Sequence, residues 1–230
     1  MRTAEEKGVS VAISGDVVLM NRVYFTSDLH FGHASVLKYS LRRPFVDKVE
    51  MAEHDDWLLD LWWRTVDSGD TVYLLGDLTA YKGEAVCQLL EKLPGRKILI
   101  EGNHDAALNP YCSYFQTVRQ LKEVCFKPCD YPFLKEDFWV VMCHYPMLSW
   151  NKKQQGAIML HGHCHGTLDK YNLLSKDLRF DVGIDGTLAN LRFLTLEDIY
   201  HAAMQKIKRN KCNTFAEYSK IISRNNNRQN

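Results

Sequence analysis

The chain lacks a surplus of charge. Its 230 residues hold 29 Lys+Arg against 28 Asp+Glu, a formal net charge of +1. That balance excludes a globally basic nucleic-acid coat and an acidic, disordered tail protein. It also lacks any apolar run of about 18 or more residues, so no membrane-spanning helix is expected. Near the start, Glu5-Glu6-Lys7 precedes a weak apolar stretch interrupted by Gly15 and Asp16, a poor match to a secretory leader. Paired cysteines are missing too. The seven cysteines are scattered, with no CxxC spacing, so neither a disulfide framework nor a zinc ribbon is expected. Reduced, buried thiols in a cytoplasmic protein are the better reading. There is no internal repeat.

What is present is an ordinary globular balance, 46% hydrophobic and 25% charged, in a length that suits one domain at roughly 100–200 residues each. Short β-branched and aromatic runs predict six strands: Val23–Ser27, Thr71–Leu75, Lys97–Ile100, Phe138–Cys143, Ala157–Leu160 and Leu178–Val182. Asp47 with Glu50 reads as a capping box opening a helix of about 18 residues, with Trp57, Leu58, Leu61, Trp62 and Val66 on its apolar face. A second helix is expected over 83–93, stopped by Pro94-Gly95, and a third is opened by Thr195 and Asp198. Phe215, Tyr218, Ile221 and Ile222 mark a further amphipathic stretch. Residues 205–230 hold seven basic residues and one acidic. The expected organisation is an N-terminal extension (1–20), a catalytic-sized body (21–204) and a basic helical tail (205–230). Alternating strands and helices predict an α/β protein with largely parallel pairing, which binds ligands beyond the carboxyl ends of its strands.

The unusual residues sit at those ends. Asp28-Leu29-His30 with His33, Gly76-Asp77, Gly102-Asn103-His104-Asp105, His144 and Gly162-His163-Cys164-His165 each follow an apolar run. Asp28 and His30 are two apart, as are His163 and His165, a spacing that puts strand side chains on one side. Carboxylate, amide oxygen and imidazole suit borderline or hard divalent metals. Two metals sharing one carboxylate would be a natural product of this ligand list.

In order, TSDLHFGH, LLGD, EGNHD, CHYP and LHGHCHG make the chain resemble the calcineurin-like metallophosphoesterase superfamily, notably its small bacterial and phage members, over about Val23 to Asp185. The resemblance implies two packed β-sheets flanked by helices, a four-layer αββα sandwich. It implies a hydrolase of phosphomonoesters or phosphodiesters, nucleotides included, that holds two divalent metal ions, manganese first, with iron, zinc, cobalt or nickel as alternatives. Asp28, His30 and His165 would hold one metal, Asn103, His144 and His163 the other, and Asp77 would bridge them. A water or hydroxide between the metals would attack phosphorus. His104 would assist the leaving oxygen, and Asp105 would orient its imidazole. Asn103 and His104 would also contact substrate. Ala80 stands where many relatives carry an acidic or Asn residue, which removes one supporting bond but no ligand. Gly76-Asp77 leads into Leu78-Thr79-Ala80-Tyr81 rather than Asp-Arg-Gly, which disfavours a protein phosphatase.

Other residues carry plainer readings. His54 and His201, on expected helices, read as structural, and so does His161. His33 reads either as a phosphate contact or as a hydrogen-bond partner of a metal ligand. Arg43 reads either as a phosphate-recognising cation or as part of a solvated loop. The tryptophans at helical spacing read as packing. Tyr145 and Trp150 are candidates to line the pocket. The basic tail reads as a solvated face or as an attraction for nucleic acid. Two rival functions stay open: a nuclease acting on DNA or RNA, and a non-catalytic scaffold. Oligomeric state is not legible.

Overall fold

The computed structural model describes residues 21–38, 40, 42–45 and 50–226. The expected N-terminal extension and Asp47 of the expected capping box lie outside them. A five-stranded sheet has the order β4-β3-β2-β1-β9 and a four-stranded sheet the order β5-β6-β7-β8. The strands are β1 Val23–Thr26, β2 Thr71–Leu74, β3 Arg96–Ile100, β4 Thr117–Arg119, β5 Leu121–Phe126, β6 Phe138–Cys143, β7 Ile158–His161, β8 Arg179–Asp181 and β9 Leu194–Thr195. The helices are α1 Met51–Thr65, α2 Glu84–Lys92, α3 Asp169–Leu174, α4 Leu196–Arg209 and α5 Phe215–Asn226. Pairing is parallel within β1–β4 and within β6–β8, and antiparallel where β9 joins β1 and β5 joins β6. The architecture is therefore two mixed sheets flanked by helices, as expected.

Side-chain alternation builds the layers. Phe25, Tyr73, Ile98 and Ile100 of the first sheet meet Phe138, Val140, Met142, Ile158 and Leu160 of the second in one core. The intervening residues Tyr24, Val72, Leu74 and Leu99 point the other way, onto Leu58 and Trp62 of α1 and Val86 and Leu90 of α2. Both faces are buried, so these strands read as continuous apolar runs. On the outer face of the second sheet, Val141 and Met159 pack against Trp150 and Ala157.

α1 is 15 residues long, shorter than expected, and its N-cap Glu50 makes no side-chain capping bond. α4 does begin with the expected capping box: the Asp198 amide donates to Thr195 Oγ1 at 3.0 Å and the Thr195 amide to Asp198 Oδ2 at 2.8 Å. The boundary expected at residue 204 falls inside α4, which runs on to Arg209. Phe215, Tyr218 and Ile222 of α5 join the main core. Residues 205–222 are thus continuous with the body rather than an appended tail. Among the described residues no helix is long and apolar enough to cross a membrane.

Among the described residues one parallel bridge, Ser27 to Gly183, joins the two sheets at one end. The loops leaving β1, β2, β3, β6 and β7 gather there.

Candidate metal centre

Strand alternation is not what makes the paired residues converge. β1 stops at Thr26 and β7 at His161, so Asp28, His30, His163 and His165 all lie on loops. They reach the centre through left-handed backbone instead. Asp28 (φ 60°), His30 (56°), Asp77 (55°), His163 (69°) and His165 (46°) all have positive φ. Each such non-glycine residue costs about 1–2 kcal/mol, and strain of this kind gathers at functional sites. Backbone bonds hold the first loop to the second: the Asp28 amide donates to the Gly76 carbonyl and the His30 amide to that of Asp77, both at 3.0 Å.

The loops form two groups. Asp28, His30 and His165 present potential ligand atoms within 4.8 Å of one another, and so do Asp77, His144 and His163. Asp77 Oδ2 lies between the groups, 3.6 Å from His30 Nε2 and 3.5 Å from His144 Nε2. Asn103 Oδ1 lies 3.0 Å from His144 Nε2. Asp28 receives the His163 amide at 3.0 Å on both oxygens, which ties one group to the other.

These atoms are short of positive charge. Among the described residues His30 Nε2 is buried without a hydrogen-bond partner, while its Nδ1 is engaged by His33 Nδ1 at 2.8 Å. Burial lowers the His30 pKa to about 2, which keeps the ring in the neutral, metal-binding form. His144 Nδ1 donates to the Leu75 carbonyl at 2.7 Å, so its Nε2 faces two acceptors, on Asn103 and Asp77. Burial raises Asp28, fully enclosed, to about 6. An arrangement of converging lone pairs and a destabilised carboxylate fits divalent cations, and the donor types suit them. The backbone leaves room for little else. A Cβ on Gly162 would stand 2.5 Å from Asp28 Oδ2, and one on Gly102 would stand 2.3 Å from Asp77 Oδ1.

Around the centre the residues sort differently from the sequence expectations. Arg43 is not a solvent-facing cation; it is 4% exposed. Its Nε and one terminal nitrogen donate to the two oxygens of Asp185, each at 2.8 Å. The guanidinium also donates to the carbonyls of Asp28 and Leu29, at 2.5 and 2.9 Å. With every direction taken, it has no donor to offer a substrate. Asp105 is buried, and its oxygens accept from the amides of Gly102, Asp77 and Leu78 at 2.8–2.9 Å. It clamps the β2 and β3 loops together instead of steering the His104 imidazole. His33 makes the bond to His30 described above, and its ring lies 5.0 Å from that of His104. His104 is exposed, 5.5 Å from the His30 ring. Tyr145, 47% exposed, lies ring to ring with His163 at 4.8 Å. Trp150 is buried away from the opening, donating to the Ala157 carbonyl at 2.9 Å. His54 and His161 are buried and structural, while His201 is exposed on α4.

Asp185 escaped the sequence reading. It receives His165 Nδ1 at 2.7 Å, which orients that ring with Nε2 toward Asp28. Its signal was available: it follows a strand and a glycine, as Asp77 does. Asp55 escaped too. It accepts from the Gly32 amide, from His54 Nδ1 and from the Tyr81 hydroxyl, bracing the loop that carries His30 and His33.

Residues 21–176 match the calcineurin-like phosphoesterase family. The chain is 30% identical over 190 residues to the gene 66 protein of Mycobacterium phage D29, covering 72% of this chain and 89% of that one. It is 30% identical over 181 residues to the uncharacterized protein MJ1445 of Methanocaldococcus jannaschii, covering 77% and 89%. Its fold resembles the crystal structure of AQ665, a protein of unknown function from Aquifex aeolicus, with a TM-score of 0.58, 20% identity, and coverage of 79% and 99%. With its five motifs in order and their side chains gathered at one end of two sheets, the chain belongs to the calcineurin-like phosphoesterase family.

Proposed function

We propose that this protein is a dinuclear metal-dependent hydrolase of small phosphoesters. The observation that carries the reading is the pair of ligand groups with Asp77 Oδ2 between them. Asp28, His30 and His165 would hold one ion, and Asn103, His144 and His163 the other, with Asp77 shared. Bound divalent ions would supply a water nucleophile of lowered pKa and offset charge on the phosphoryl oxygens. Manganese is the first candidate, with iron, zinc, cobalt or nickel accepted by the same donors.

The chain's own residues would do the rest. His104, exposed at the rim, would donate a proton or hydrogen bond to the leaving oxygen. Asn103 would orient substrate as well as bind metal. His33 holds His30 and flanks His104, so it lies within reach of a phosphate. Asn103, His104, Tyr145 and His163 are all exposed, an open rim that suits small phosphomonoesters, phosphodiesters and nucleotides. The seven cysteines are all free thiols, which fits a cytoplasmic setting.

The test is metal analysis joined to a panel of phosphomonoesters, phosphodiesters and oligonucleotides. We expect close to two ions per chain, metal-dependent turnover of a small ester, and loss of that turnover in Asp77→Ala. Turnover confined to oligonucleotides, with steeply salt-sensitive binding, would replace this reading with a nuclease. No turnover on any substrate with metal bound would favour a scaffold.

A further inference from the structure

A second cavity, of about 630 Å³, opens between α3, β8 and α4. None of the expected metal ligands lines it. Two buried cations do: Lys206 is 5% exposed and Arg179 is 2% exposed. The Lys206 ammonium donates to the main-chain carbonyls of Asn172 and Asp177. The Arg179 guanidinium donates to Asn172 Oδ1 and to the Met147 carbonyl, both at 2.9 Å. All four acceptors are neutral. The Asp177 charge favours the Lys206 ammonium, but its carboxylate is bonded to Lys153 at 2.9 Å. Among the described residues neither buried cation forms an ion pair, and a buried charge without a counter-charge is expensive.

The cavity's own acids bond main-chain amides rather than the two buried cations. Asp169 Oδ2 holds the Thr187 amide at 2.6 Å. Asp181 accepts from the amides of Gly166 and Gly183 at 3.2 and 2.8 Å. At the rim, Arg42, Lys170 and Arg209 add three exposed cations, also without ion pairs among the described residues. Burial, with the neighbouring Arg179 and Arg209, lowers Lys206 to about 8 against the pull of the Asp177 charge. Between these charges the surface is apolar. Phe180 lies with its ring centroid 5.2 Å from the Lys206 ammonium, and Leu173 stands at the opening.

We propose that this cavity binds a small organic anion that pairs one acidic group with an apolar ring. The acidic group would meet Lys206, Lys170 and Arg209, and the ring would lie on Phe180 and Leu173. The volume suits such a ligand, since pockets for small molecules span about 300–1,000 Å³. The site is separate from phosphoester hydrolysis and stands whether or not that reading holds.

Naphthalene-1-sulfonate, which carries no phosphoester bond, is the probe, followed by isothermal titration calorimetry. We expect one saturable site, weakened by added salt, with the neutral naphthalene-1-sulfonamide at least about tenfold weaker. The double variant Lys170→Ala/Arg209→Ala removes two exposed side chains and should weaken sulfonate binding by about tenfold or more. Asp77→Asn, at the metal centre, should bind the sulfonate as the wild type does. No saturable binding at millimolar sulfonate would overturn the proposal. So would equal affinity for the sulfonamide, unchanged affinity in the double variant, or loss of binding in Asp77→Asn.

Discussion

Arg43 illustrates how one residue serves several loops. Its guanidinium grips both oxygens of Asp185 and two carbonyls beside Asp28, and lies 2.8 Å from His54 Nε2. It therefore connects the β1 loop to the acid that orients His165. Burial pushes Asp185 upward, but His165, Arg43 and Ser40 outweigh it and hold the carboxyl well below its usual range. A carboxyl with a depressed folded pKa contributes stability that is present above its ordinary value near 4 and lost as pH falls. Arg43→Ala should cost about 3–5 kcal/mol in urea denaturation, because it strands a buried carboxylate. Arg43→Lys should not restore the loss, since an ammonium cannot span the fork. His104→Ala makes a contrasting prediction. It should lower kcat by about 10²–10⁴-fold, the range for a general acid, while metal content by elemental analysis stays at the wild-type level.

At the scale of elements, the buried strands were legible because both their faces are apolar. β6 spans the expected Phe138–Cys143, and the other five expected strands differ only at their ends. The strands that escaped have no such signature. β5 is largely half-exposed, with Lys122 and Glu123 in its sequence, and β9 has two residues. Sheet position, not composition, makes these segments strands. The C-terminal helices show the same limit. The seven basic residues of 205–230 suggested a basic helical tail, yet the apolar stripe of α5 is in the core. Phe215, 5% exposed, packs on Phe138 with ring centroids 5.5 Å apart. Phe215→Ala should therefore destabilise the whole domain by about 3–5 kcal/mol in one cooperative denaturant transition. A separate, early loss of helix with the body intact would restore the tail reading.

At the scale of the whole molecule, the near-zero net charge conceals a body with an acidic excess, a basic C-terminal segment and a centre rich in metal-ligand atoms. His144 reports that need. Burial opposes its charge, but the carboxylates of Asp77 and Asp28 outweigh burial and raise it to about 9. Below that pH a proton holds Nε2 where a metal would bind. Metal binding at pH 7–8 should then release a proton, and affinity should fall with decreasing pH. Calorimetry of Mn²⁺ binding in buffers of different ionisation enthalpy measures the release. Saturating metal should also raise the melting temperature, with about 2.7 kcal/mol of stabilisation at a hundred times Kd, and Asp77→Asn should abolish most of that gain.

By itself the sequence determined the family, the buried strands and the set of ligand types, because these depend on local runs and on motifs that stay contiguous along the chain. Tertiary structure alone decided how those types meet. Left-handed backbone at five loop residues, rather than strand alternation, turns the ligands inward. Arg43 became a buried support, Asp105 a clamp between loops, and Asp185 a ring-orienting acid, because hydrogen bonds between residues as far apart as Arg43 and Asp185 form only after the two sheets have closed on one another. The physical reason is burial: a charged side chain on a loop has no assigned role until the fold removes its water and supplies its partner.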